Sequence, residues 1–520
     1  MPVMMRNSAW VSLLLILAFT LVACRSMPGN STAQPALRDT VIPSRVPSLD
    51  PIEEISPVTP PVTDRIPFEE ATHPSPALLS PETTAEPSQR PQYHLTAELD
   101  YDRHYLSVEE VIRYTNQTSE TIPDLLLLVE PSRYPGAFKL NALTWEDGTP
   151  VADYQREIGS IRAPLQRPLP PGGSLQISLS YEIFIPSPDP AYYGKPVPFG
   201  YSERQTNLVD WYPFLPPYVP GTGWLAHPVA PFGEYLVYET SDFRVDIRLN
   251  PAGRELIVAA STLPEEAGEW LQYRLDAARS FAWSASDQYQ VFSTTVGSVQ
   301  VSSYAFPVHA GAGQAALEAT AEALALYRDL FGPYPHQSLS VVEADFLDGM
   351  EYDGLYFLSK GFYNLYSGSP ADYLTAIAAH ETAHQWWYGL VGNDQALEPW
   401  LDEAMCTYSE RLYYENLHPE ALDWWWSYRV NYYEPKGWVD GSVYNPEGYR
   451  AYRDAVYLNG ALFLEDLRDQ VGDEPFFGFL SAYTGRFTHQ IVTRQGFFDL
   501  LGQYSSTDLG PLIERYFNNR

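Results

Sequence analysis

The chain has 520 residues, 45% of them hydrophobic and 14% aromatic, which is enough for two or three domains around a large core. Its 65 acidic residues against 32 basic ones give a net charge of −33, which excludes a nucleic-acid surface built on clustered Lys and Arg. The two cysteines, Cys24 and Cys406, lie in different regions and imply no disulfide framework.

Residues 1–24, MPVMMRNSAWVSLLLILAFTLVAC, put one Arg ahead of an apolar run from Ala9 to Ala23. That run is short for a membrane span and fits a secretion signal. Its ending, LVAC, resembles a bacterial lipobox, in which cleavage exposes a cysteine for lipid attachment; the alternative is an ordinary signal peptide with a coincidental cysteine. On the lipobox reading Cys24 carries the anchor. The protein is then exported across the cytoplasmic membrane and held by lipid at the bacterial cell surface or envelope. Residues 25–92 contain 14 prolines among Ser, Thr and Glu and show no apolar periodicity. They read as an extended tether with a reach of roughly 200 Å.

From residue 93 the texture changes. YHLTAELD, YLSVEEVIRYTN, SLQISLSYEIFI and FRVDIRLN alternate with period two between Pro- and Gly-rich turns. Residues 93–295 are expected to form an all-β domain without a catalytic constellation. Trp211, Tyr212 and Pro213 in DWYPFLPPY read as packing residues. Residues 296–520 read as a mainly helical α+β domain. GQAALEATAEALALYRDLFG is a helix stopped by Gly332 and Pro333, SLSVVEAD a strand and MEYDGLYFLS another.

The next helix holds HETAHQWW. Ser369 is the expected cap, Pro370 suits the first turn, and the helix is expected to fray at Gly389 or Gly392. His380 and His384 are four apart, so their imidazoles project side by side and can converge on one ion. Glu381 lies about 100° round the helix, close enough to take a proton from an attacking water. The motif alone leaves open a pair of core or solvated histidines. Eighteen residues separate His384 from Glu403, which sits on a second expected helix among Trp400, Leu401, Ala404 and Met405. A carboxylate in such apolar company needs a partner. Two His and one Glu leave a fourth zinc position open, as catalytic sites do.

This spacing resembles the zinc aminopeptidase family typified by aminopeptidase N and the leukotriene hydrolase. DGMEYDGL is similar to that family's Gly-Ala-Met-Glu-Asn stretch, WLDEAMCTYSE to its Trp-Leu-Asn-Glu-Gly-Phe-Ala run, and YLNGALFLEDL to its Tyr-x-Lys-Gly-Ala segment. The resemblance implies a saddle- or sandwich-like β domain followed by a thermolysin-like catalytic domain. It implies one zinc per chain on His380, His384 and Glu403, with Glu381 as general base. Tyr457 would stabilise the oxyanion, and Glu351 would pair with the free amine of a peptide substrate. Gln205 is a weaker candidate for a further amine contact, and Thr407 for support of Glu403.

The sequence departs from the family pattern at Tyr352, Asp402 and Asn459, which bears on substrate preference more than on reaction class. The large helical C-terminal domain of many members has no counterpart before Arg520, so a more open cleft is expected. The expected activity is removal of N-terminal residues from peptides. The alternatives are an open-cleft endopeptidase and a lipoprotein that binds zinc or peptide without catalysis.

Overall fold

The computed structural model describes residues 89–187, 197–250 and 253–518. The signal segment, Cys24 and the tether through residue 88 lie outside them. Among the described residues no helix is long and apolar enough to cross a membrane.

The alternating runs pair as a seven-stranded sheet with Gln92–Asp100 in its middle. This strand lies antiparallel to Tyr105–Thr115 and parallel to Ser241–Asn250. Because side chains alternate across a strand, Leu95, Ala97 and Leu99 face inward with Leu106, Val108 and Ile112 while their neighbours face water. The inner face packs on Trp211, Tyr212 and Trp283, all fully or almost fully buried, in agreement with the packing role read from DWYPFLPPY.

A five-stranded sheet follows, in the order Gln290–Val296, Val299–Ala305, Ser338–Ala344, Leu355–Ser359, Gly349–Tyr352. Its first strand begins at Gln290, inside the stretch that alternation alone assigns to the β domain, because a strand looks the same on either side of a domain boundary. MEYDGLYFLS is two strands, not one. They pair as a hairpin whose turn residue Gly354 adopts φ +68°, and a Cβ there would lie 1.8 Å from the carbonyl oxygen of Ser261. The hairpin leaves Gly349–Tyr352 at the edge of the sheet, with one side of its backbone unpaired by other strands.

Helices α1 (Ala310–Phe331), α2 (Lys360–Leu365), α3 (Tyr373–Ala383) and α4 (Trp400–Leu417) cover this sheet or pack on one another around a second core. The loop carrying Ala230, Phe232 and Tyr235 reaches from the β region into that core.

A partly buried ionic cluster also joins the two regions. Asp345, just past Ser338–Ala344, accepts from Ser202 at 2.8 Å, Arg204 Nε at 3.1 Å and Lys360 at 3.0 Å. Burial raises its carboxyl, but these partners outweigh burial and hold it at about 2. A folded value below the unfolded one stabilises the protein above the ordinary carboxylate range, and that contribution is lost as pH falls towards 2. Asp345→Asn is expected to cost about 1–2 kcal/mol at neutral pH once solvent screening is allowed for. It should also flatten the acid limb of stability against pH in denaturant melts.

Candidate active site

Helix α3 is alanine-rich, and its cap differs from the expected one. Asp372 Oδ1 accepts from the Leu374 backbone at 2.9 Å, so the helix starts at Tyr373, while Ser369 only closes a turn at Ala371. A carboxylate is the better cap here because it also meets the positive end of the helix dipole. The helix ends at Ala383, earlier than the glycines predict. The chain then turns sharply, with Gly389 N bonded to His384 O and Tyr388 at φ +124°. Buried Arg279 from the β region pins this turn. It donates to the carbonyls of Tyr388 at 2.6 Å, Tyr238 at 2.8 Å and Gln490 at 3.1 Å.

His380 and His384 both face α4. Glu403 Oε2 lies 3.2 Å from His380 Nε2 and 3.6 Å from His384 Nε2. Donors about 2.1 Å from a tetrahedral ion stand roughly 3.4 Å apart, so this trio fits a zinc-sized ion. The outer nitrogens are already engaged. His380 Nδ1 bonds Glu410 Oε1 at 2.8 Å, and His384 Nδ1 bonds the Trp387 carbonyl at 3.1 Å. Those bonds leave both Nε2 atoms for the centre. Burial opposes ionisation of Glu403, but hydrogen bonds from the two histidines outweigh it and keep the carboxyl well below its usual range. Donor atoms of Cys406, His380 and His384 also lie within 4.8 Å of one another. The thiol, however, is 3.9 Å from the Trp387 carbonyl that engages His384 Nδ1, and Glu403 is the residue that touches both Nε2 atoms.

Glu381 is 4% exposed, and its Oε2 has no hydrogen-bond partner. Burial pushes its carboxyl well above the ordinary range, against the pull of the His384 and His380 imidazoles. A carboxylate oxygen left unpartnered beside the two imidazoles is placed to accept and return a proton. The side chain rests on Gly349, where a Cβ would stand 1.9 Å from Glu381 Oε1. Gly349→Ala is therefore expected to displace this carboxylate and lower kcat by about 10²-fold while leaving Tm and metal content unchanged. Steady-state kinetics beside a thermal melt and metal analysis would check it.

Glu351 is 6% exposed on the edge strand and accepts from Gln395 at 3.3 Å. Gln395 also donates to buried Asp402 at 3.0 Å. Donor atoms of Glu351, Glu381 and His384 lie within 4.8 Å of one another, so an amine held by Glu351 would sit beside the Glu381 carboxylate. Tyr457 O–H donates to Glu403 Oε1 at 2.5 Å, and burial raises its phenol, so it remains a donor. These six side chains line one cleft with about 500 Å³ of free space.

Residues 315–516 match the model of the peptidase family M1 domain. The match covers about two-fifths of the chain. The chain is 29% identical over 243 residues to endoplasmic reticulum aminopeptidase 1 of Mus musculus, covering 44% of this chain and 26% of that one. It spans about a quarter of the length of the curated relatives it matches. In fold it is similar to an M1 zinc metallopeptidase of Deinococcus radiodurans, with TM-score 0.58 and 18% identity over 83% of this chain and 94% of that one. An M1 zinc metallopeptidase from that organism bound to a Tyr-Ser-Ala substrate gives TM-score 0.57 at 19% identity, over 82% of this chain and 93% of that one. The β-rich region followed by a mainly helical one, expected from sequence, is the arrangement found.

The fold brings together His380, Glu381, His384, Glu403, Glu351 and Tyr457. It leaves two weaker candidates elsewhere. Gln205 is buried and engaged by Tyr289 OH, the Glu343 carbonyl and the Asp345 backbone, so it serves packing. Thr407 bonds its own helix at the Glu403 carbonyl, not the carboxylate. Sequence reasoning missed Glu410, which takes His380 Nδ1, Trp425 Nε1 at 2.8 Å and Arg429 Nε at 2.9 Å. Glu410 stands seven residues after Glu403, two turns along the same helix face, and that spacing was legible.

Arg429 and Tyr457 lie on π-helical turns, Trp425–Val430 and Asp454–Asn459, where one extra residue per turn re-aims the side chains.

Proposed function

We propose that this protein is a zinc-dependent aminopeptidase holding one zinc per chain on His380, His384 and Glu403. The observation that carries the proposal is the convergence of those three donors beside the unpartnered oxygen of Glu381. Zinc bound there supplies polarisation of a carbonyl and acidification of water. Glu381 takes the proton of the attacking water and passes it to the leaving amine nitrogen. Tyr457 turns its O–H from Glu403 to the developing oxyanion. Glu351 holds the substrate ammonium by charge-assisted hydrogen bonds, and the free edge of Gly349–Tyr352 aligns the peptide backbone.

Removal of a terminal residue is favoured over internal cleavage by the space beyond Glu351. The cleft leads past Glu234, Met350 and Glu351 into a pocket with about 90 Å³ of free space, walled by Tyr235, Tyr238, Tyr352 and Tyr388. That suits one side chain and not a continuing polypeptide.

The test is a panel of free and N-acetylated aminoacyl substrates read alongside metal analysis. Acetylation should lower kcat/KM by about 10²-fold or more, because it leaves Glu351 buried without its cation. Equal cleavage of blocked and free substrates would favour the endopeptidase reading. Stoichiometric zinc without hydrolysis would favour a binding protein.

Attachment through Cys24 at the cell envelope belongs to the same proposal and rests on the LVAC segment. Loss of lipid labelling in Cys24→Ser would support it, and unchanged labelling would end it.

A further inference from the structure

The cleft is tight at its amine end and roomy at the other. There, Phe362, Tyr373 and Tyr433 line both the cleft and a second depression with about 430 Å³ of free space. This groove continues under Trp424, Tyr428 and Tyr432. Tyr428 and Tyr432 are 56% and 72% exposed, and Leu365 on the same rim is 80% exposed. Tyr373 fixes the junction, donating to the Tyr428 carbonyl at 3.0 Å and lying 3.4 Å from the Tyr433 hydroxyl.

Among the described residues, the one acidic or basic side chain lining the groove is Asp372, and both its oxygens are engaged, by Leu374 N and Ser367 N. The floor is therefore mainly aromatic, with the Arg453 guanidinium against the Tyr433 ring on the cleft side. Exposed large apolar side chains grouped in this way mark a binding surface, whereas scattered ones need no explanation.

From this geometry we infer that the groove holds the downstream part of the peptide whose amino end sits on Glu351, and that it selects aromatic or large apolar side chains there. The inference rests on the aminopeptidase reading and adds a substrate class to it. A peptide fixed at Glu351 runs across the metal ligands and leaves the cleft where Phe362, Tyr373 and Tyr433 open onto the groove. Extended backbone advances about 3.3 Å per residue, so dipeptides stop short and longer peptides reach the groove. Rings stack face or edge on Tyr and Trp there, whereas a carboxylate loses hydration over the aromatic floor.

The test compares a dipeptide with two heptapeptides that share its first two residues, one bearing Phe and the other Asp at the downstream positions. The Phe peptide should exceed the Asp peptide in kcat/KM by about tenfold, mostly through KM. In Tyr428→Ser/Tyr432→Ser the Phe-to-Asp ratio should fall towards one. A Phe-to-Asp ratio near one in the wild type, or a ratio unmoved by the double substitution, overturns the inference.

Anisotropy of the same labelled heptapeptides on Glu381→Gln protein separates this failure from that of the parent reading. Selective binding of the Phe peptide without turnover in the wild type would sink the peptidase assignment and keep the groove. Turnover without selective binding would do the reverse.

Discussion

Glu381→Gln is expected to lower kcat by about 10²–10⁴-fold while zinc content and Tm stay those of the wild type. The amide preserves shape, and burial already disfavours the charge it removes. What it loses is the capacity to take a proton from water. Glu381 is not among the three converging donors, so the metal should remain. Metal analysis together with single-turnover kinetics decides the matter. Wild-type turnover in that protein would remove Glu381 from its proposed role. Loss of zinc would place it among the ligands.

Glu410→Gln should act on stability and metal affinity together. Glu410 is fully buried and gathers His380, Trp425 and Arg429 around one carboxylate. Burial opposes its charge, and Arg429 and His380 more than offset that, holding it below the usual range. The substitution leaves the buried Arg429 guanidinium without its counter-charge, at an expected cost of about 3–5 kcal/mol. It also weakens the bond that orients His380, which should reduce zinc affinity by about 10–100-fold. Chemical melts and competitive chelator titration measure the two effects. A purely structural role would shift the melt and leave zinc affinity unchanged.

The two predictions differ in how far the sequence announces them. His380, Glu381, His384 and Glu403 are visible because an α-helix converts residue spacing into direction, and HETAH states that spacing openly. Glu351 and Tyr457 become visible only through resemblance, since single glutamates and tyrosines carry no periodicity. Arg429 could not be read at all. It reaches Glu410 from a π-helical turn, and the rules for α-helical spacing do not place it. The same limit explains the smaller errors. Ser369 and Asp372 are both acceptable caps, and the choice between them lay in the turn that Asp372 also closes at Ser367. The hairpin at Asp353–Gly354 reads as one strand because Met350–Tyr352 and Leu355–Ser359 are all buried and show no alternation. The β region was plain in outline, because one face of each strand is wet and the other dry.

The turn at Asp454–Asn459 has a consequence for how this chain can vary. Insertions and deletions are usually tolerated in surface loops and punished inside helices. Here the helix that carries Tyr457 already contains a one-residue surplus, so excising a single residue would regularise it instead of breaking it. The straightened helix would fold comfortably and its flanks would keep their phase, yet Tyr457 lies inside the turn that is lost, and its phenol would no longer be aimed at Glu403. Loss of activity through gain of regularity is thus a route open to natural relatives of this protein, and they would keep every zinc ligand while taking it.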